Sequence, residues 1–166
     1  MDLYNRKRQF ERALESIEES KEILKENKKI IINFKDYLLS EGIGIVRIRR
    51  YFVELIRYSR MFKKPFDKAK KEDIRTIVAD LNQTALSEET KKCFKIMLRK
   101  LYRFLRNVEE KGVYPDEVKW ISIAIPSNHK KLPEELLTED EVKKIISRCD
   151  NLRDKTLIFP QEILGF

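Results

Sequence analysis

The chain has 166 residues, 42% of them hydrophobic, enough for one or two small domains with a core. Its 36 Lys and Arg against 28 Asp and Glu leave a net charge of +8, so nucleic acid is the foremost expected ligand and an anionic membrane the second. The apolar runs are far shorter than the ~20 residues that span a bilayer, and the charged N-terminus is unlike a signal peptide, so we expect a cytoplasmic protein.

The first forty residues predict helix, because residues 2–41 contain no Gly or Pro and a large apolar residue recurs at every seventh position. The repeat consists of Leu3, Phe10, Ile17, Leu24, Ile31 and Leu38. Lysines interrupt the companion positions that a coiled coil would need, so we expect this stripe to pack against its own domain. Residues 1–19 are predicted to be a separate helix or an arm, and a break near residues 27–29 is compatible with the pattern.

Three more helices are predicted before residue 110. Gly44 begins the first of them, which ends before Pro65, and a short helix follows over about residues 71–81. Ser87 in a Ser-x-x-Thr pattern predicts the N-cap of a long helix that reaches about Glu109. Gly112 and Pro115 then end it.

The C-terminal third has a different sequence pattern from the helical region before it. Residues 113–133 contain three prolines and no helical period, yet also several apolar residues, which predicts a linker that docks on the domain. After it, Thr138 and Glu141 have the spacing of a capping box for a short helix.

Two helices carry an unbalanced positive charge. Between Gly44 and Lys71 there are ten Lys or Arg and two acids, and between Lys91 and Arg106 there are seven and none. A merely solvated surface would interleave acids four residues from the bases, as the first helix does. A basic helix fits the DNA major groove and neutralises phosphates, so the pattern favours nucleic-acid binding.

Residues for catalysis are scarce. The lone histidine, His129, lies in a polar segment, and the chain has no Ser/His/Asp grouping, HExxH motif or glycine-rich phosphate loop. Cys93 and Cys149 lie far apart without CxxC spacing, which disfavours a disulfide framework or a zinc site. We therefore predict no catalytic residue, no cofactor, no metal and no small-molecule substrate.

Five segments follow one another along the chain: 69–74 (AKKEDI), 86–90 (LSEET), 101–105 (LYRFL), 136–142 (LLTEDEV) and 151–157 (NLRDKTL). In this order they resemble segments of the tyrosine recombinases, the family of phage-type and archaeal integrases. The resemblance implies an all-α, SAM-like core-binding bundle of four to five helices at residues 20–111. A helix or arm at 1–19 would precede it, and a linker at 112–135 and the beginning of a catalytic domain at 136–166, a short helical stub, would follow.

In that family the second and fourth helices of the domain meet the major groove with their N-terminal halves. The DNA-binding residues that this implies are Arg47, Arg49, Arg50, Lys91, Lys92 and Lys95, with Arg99 and Arg103 nearer the phosphates and Lys130 and Lys131 along the linker. Double-stranded DNA is then the partner, together with other recombinase protomers on DNA, and no membrane is expected to be one.

The chemistry of the family uses a tyrosine nucleophile, arginines, a lysine and histidines. No position here matches them, because the sequence departs from the family pattern after Ile158. We therefore expect the chain as it stands not to be an enzyme but a fragment or truncated form. Two alternatives stay open: a helical protein–protein interaction module that uses the period-seven stripe, and a natural truncation that competes with an integrase for recombination sites.

Overall fold

The computed structural model describes residues 5–124 and 137–151, which are helical and contain no strand. The chain forms two units, residues 1–125 and 126–166. The described helices are α1 Arg6–Glu19, α2 Lys25–Ser40, α3 Ile45–Met61, α4 Lys71–Gln83, α5 Glu88–Leu105 and α6 Glu139–Ser147, with a 3-10 turn at Phe66–Lys68. The all-α class and the small helical bundle predicted from the sequence are confirmed.

Helix α3 lies at the centre of the first unit, where it packs against α1, α2 and α5. Its buried side chains recur at intervals of three and four residues, as one face of a helix requires. They include Ile48, Phe52, Leu55 and Tyr58, each almost fully removed from solvent. Helix α5 lies beside α3 and packs in turn on α2 and α4, so these two helices organise the bundle.

A buried hydrogen-bonded chain joins α3 to α5. The hydroxyl of Tyr102 donates to the carbonyl of Phe66 over 3.0 Å, so the Tyr58 hydroxyl, 2.5 Å from that of Tyr102, is the donor to it. The Tyr58 ring stacks on Phe66 and meets Phe94 edge-on. Burial raises the pKa of both tyrosines, so each hydroxyl stays neutral and keeps its proton for this chain.

The N-terminal stretch forms two helices separated by a turn at residues 20–24. Ser20 accepts a hydrogen bond from the Glu22 amide, and Ile23 is buried in the turn. The break lies upstream of residues 27–29. Asn27 lies inside α2, where its side chain forms hydrogen bonds with the loop after α3. Among the period-seven residues, Ile17, Ile31 and Leu38 are buried in the core and Phe10 stacks on Phe52. The described part of the stripe therefore packs against its own unit, with the exception of Leu24, which is exposed.

Two left-handed residues end helices. Gly42, at φ +75°, closes α2 with amide bonds from Gly42 to Leu39 and from Ile43 to Leu38, the Schellman pattern. Asn107, at φ +50°, closes α5 in the same way. The predicted end of α5 near Glu109 was therefore about four residues too late, because Asn107 served as the stop before Gly112.

The predicted caps of α5 and α6 are confirmed. Ser87 accepts a hydrogen bond from the Thr90 amide, and Thr138 and Glu141 form a reciprocal capping box. The first unit also extends beyond residue 111, since Val118 and Ile121 are buried in its core. In the second unit only residues 137–151, with α6, are described.

Asn27 locks the loop between α3 and α4 onto α2. Its side-chain amide donates to the Lys64 carbonyl over 3.1 Å, and its side-chain oxygen accepts from the Phe66 amide over 2.8 Å. Asn27 is buried, so both backbone groups depend on it in place of water.

Replacing Asn27 by alanine is expected to lower the free energy of unfolding by about 1–3 kcal/mol, because the buried Phe66 amide and the partly buried Lys64 carbonyl lose their partner. Urea unfolding followed by circular dichroism measures the change. The matched control is Asn33→Ala, an exposed position on the same helix, which should shift stability by less than about 0.5 kcal/mol. Equal effects of the two substitutions would contradict the proposed lock.

Candidate nucleic-acid interface

The outward face of α3 is formed by arginines and valines. Opposite the buried stripe, helical spacing places six exposed or half-buried residues on one surface. These are Val46, Arg49, Arg50, Val53, Arg57 and Arg60. Four cations and two aliphatic side chains share this surface. No acid of α3 is exposed on it, and Arg60 at its C-terminal end pairs with the exposed Glu22 over 2.7 Å.

A buried carboxylate lies below two of these arginines. Glu54 is fully buried, forms an ion pair with Arg57, and has Arg50 at 3.7 Å from its Oε1 atom. Burial raises the pKa of Glu54, while Arg57 and Arg50 oppose that rise. The carboxylate thus orients Arg50 and Arg57 from beneath without presenting a negative charge to a ligand.

The N-terminus of α3 opens into a shallow, positively charged depression. It is lined by Arg6 of α1, by Arg47, Arg49 and Arg50, and by residues 44–46. The amide groups of a helix N-terminus add partial positive charge to that of the guanidinium groups. The three predicted α3 arginines are therefore brought together here. Arg6 was missed, because the balanced charge of α1 gave no signal that it would lie beside α3.

Helix α5 presents two kinds of lysine in its first half. Lys91, 8% exposed, donates to Glu88 Oε1 over 2.9 Å and to the Asn82 carbonyl over 3.1 Å, so its charge is already used within the fold. Lys92 and Lys95 are half-buried, and neither forms an ion pair or hydrogen bond with another described residue. The pairing of Lys91 with Glu88 also reduces the negative charge next to them.

Arginines in the second half of α5 and at its end contact the segment that follows the helix. The guanidinium of Arg103 donates to the carbonyls of Val108 and Glu109 over 3.0 and 2.9 Å. The Arg99 guanidinium lies 3.8 Å from the centre of the Tyr114 ring, and Arg106 pairs with Glu117 over 2.8 Å. The predicted phosphate contacts Arg99 and Arg103 are therefore partly covered by the chain itself.

Arg47 also lies beside α5. It lines a second groove with Lys100 and Arg103 of that helix and with the carboxylates of Glu41 and Glu109. Burial raises the pKa of the Tyr51 phenol on the same helix as Arg47, and the charge of Arg47 opposes that rise.

Some expected features lie outside the described residues or are tested only within them. Lys130 and Lys131 lie outside the described residues. Across residues 5–124 and 137–151, His, Cys, Asp and Glu side chains form no cluster of three that could hold a metal ion. In the same part of the chain, each helix is too short or too polar to cross a bilayer.

The chain is similar in sequence to a recombinase. The tyrosine recombinase XerA of Pyrococcus horikoshii is 31% identical over 132 residues, which are 80% of this chain and 41% of the recombinase. The chain thus spans less than half the length of the relative that it matches. Neither a protein-family model nor a solved structure matches the chain. The similarity supports the resemblance seen in the sequence motifs.

The buried Glu54 predicts how stability changes with pH. Because its pKa is raised in the folded state, the folded protein takes up a proton at higher pH than the unfolded chain. Wild type should therefore gain stability relative to Glu54→Gln as pH falls from 7 through the raised pKa. Urea unfolding of both proteins between pH 7 and 4 measures this difference.

The control for that measurement is Asp116→Asn. The bond from Lys119 lowers the pKa of the exposed Asp116, so wild type should lose stability relative to this variant as pH falls. A pH-independent difference for Glu54→Gln would contradict the proposed burial of its carboxylate.

Proposed function

We propose that the chain belongs to a tyrosine recombinase and that its first unit grips duplex DNA with α3 and α5. The N-terminal halves of the two helices would lie in the major groove, where a helix fits and where Arg and Lys reach base edges and phosphates. Arg47, Arg49, Lys92 and Lys95 are the principal contacts. Arg50 would join them from its position above Glu54.

One observation carries this proposal: among the cations of α3 and α5, those without a partner within the unit lie in the N-terminal halves of the two helices. Arg47, Arg49, Lys92 and Lys95 have no ion pair or hydrogen bond with another described residue. By contrast, Lys91, Lys100, Arg103 and Arg106 all have partners within the unit. Neighbouring cations on a helix repel each other unless an anion neutralises them, so these unpaired side chains favour a polyanionic ligand such as DNA.

The similarity to the recombinase supports the same conclusion and suggests the organisation. Residues 20–111 would be the core-binding domain, with 1–19 as an added helix, 112–135 as the linker along DNA and 136–166 as the beginning of the catalytic domain. Lys130 and Lys131 would contact DNA from the linker. In this proposal the chain supplies the grip, other protomers bind beside it on DNA, and the tyrosine chemistry belongs to residues that have no match in this sequence.

An interaction module built on the period-seven stripe is less well supported, because Ile17, Ile31 and Leu38 are buried in the core of the same unit. A protein partner could not contact these three side chains unless the first unit unfolded.

The test is fluorescence anisotropy with a labelled 20-bp duplex. We expect a Kd on the order of micromolar at low salt, weakening steeply as salt rises, since each neutralised phosphate contributes about one to the salt slope. Arg47→Glu, Lys92→Glu and Lys95→Glu should each weaken binding and reduce the slope.

The matched control is Lys29→Glu, which reverses the charge of an exposed lysine of α2, outside α3, α5 and the depression, and makes the same change in net charge. If Lys29→Glu weakens binding as much as the three other reversals, the affinity reflects overall charge. That result, or the absence of binding at low salt, would refute the proposed surface.

A further inference from the structure

Two valines occupy the centre of the basic face of α3. Val46 and Val53 are 50% and 46% exposed, and they lie seven residues apart, on nearly the same line along the helix. Arg49 and Arg50 lie between them in sequence and on either side of that line. The four residues form one patch at positions i, i+3, i+4 and i+7.

The valines have no use in neutralising phosphates. A surface that binds only the DNA backbone requires cations and hydrogen-bond donors, whereas Val46 and Val53 offer methyl groups. In the major groove, the 5-methyl group of thymine is the apolar group that base pairs present to a helix. Side chains at the centre of the helix face would meet base edges, while those at its flanks would reach toward the groove walls.

The geometry points to recognition of thymine by Val46 and Val53, an inference that rests on the proposed function and gives it a sequence preference. The two valines are separated by about 10 Å along the helix axis. Base pairs are stacked about 3.4 Å apart, so the contacted thymines would lie about three base pairs from each other. Arg49 and Arg50 between them would hold the helix in the groove.

Charge selects DNA over a protein as the occupant of this patch. A protein that covered two valines would present apolar side chains and would also have to accept the surrounding guanidinium groups. Of the acids near the patch, Glu54 is buried beneath it and cannot neutralise its outer surface. A duplex supplies both the apolar methyl groups and the negative charge.

The experiment begins with selection of 20-bp duplexes from a random pool by the full chain. In the best duplex each thymine is then replaced, one at a time, by deoxyuracil, which lacks only the methyl group. Anisotropy is expected to show about fourfold weaker binding at two positions about three base pairs apart, each the effect of one buried methyl group. Val46→Ala should abolish the sensitivity at one of them and Val53→Ala at the other.

The matched control is Val113→Ala, which removes an exposed valine away from α3 and should leave the deoxyuracil sensitivity unchanged. Circular dichroism spectra like that of wild type show that the valine variants fold. Binding that depends on Arg47, Lys92 and Lys95 but is equal for thymine and deoxyuracil at every position would overturn this inference and leave the proposed function intact. The absence of any DNA binding would overturn both.

Discussion

The hydrogen bond between the hydroxyls of Tyr58 and Tyr102 is the interaction on which the arrangement of the two basic helices depends. Both tyrosines lie in the last turns of their helices, and Tyr102 extends the chain to the Phe66 carbonyl. A buried hydroxyl without a partner is costly, so this network fixes one relative position of α3 and α5. The fold is therefore anchored at the C-terminal ends of these helices, and their N-terminal halves are left to present charge.

The same division appears in the use of the cations. Arg103 and Arg106 of α5 hold the segment after the helix, and Lys100 pairs with Glu41 ahead of α3. These contacts neutralise or occupy cations in the second half of α5. Ion pairs at partly exposed positions contribute little to stability, but they do reduce the charge available to a ligand. On α3 and α5, the cations that remain without a partner lie in the N-terminal halves, near Arg47 on one helix and Lys92 on the other.

Much of the fold was predictable because its signals are local. Gly44 and Ser87 gave the beginnings of α3 and α5 to within a residue, and the apolar periodicity gave their buried faces. The surface was predictable only in part. Lys91 and Lys92 are neighbours in a basic run, yet one is buried against Glu88 and the Asn82 carbonyl and the other is not. Such a difference depends on tertiary packing, which spacing along one helix does not contain.

The missed features have the same cause. Arg6 joins the depression at α3 because α1 packs on that helix, a long-range contact that the charge pattern of α1 does not indicate. Likewise, the sequence pattern does not distinguish Val46 and Val53 from other apolar residues of α3. Only the structure shows that they are exposed outside the core. Sequence periodicity identifies a buried face well, whereas the chemistry of the opposite face is decided by its neighbours.

The proposed function places duplex DNA against the N-terminal halves of α3 and α5. Titration of the uniformly ¹⁵N-labelled chain with a 20-bp duplex, followed by amide proton–nitrogen correlation spectra, locates the contact residue by residue. The largest shifts are expected in residues 44–53 and 89–96. Largest shifts on the outer surfaces of α2 or α4, or no shifts at saturating DNA, would contradict the proposed function.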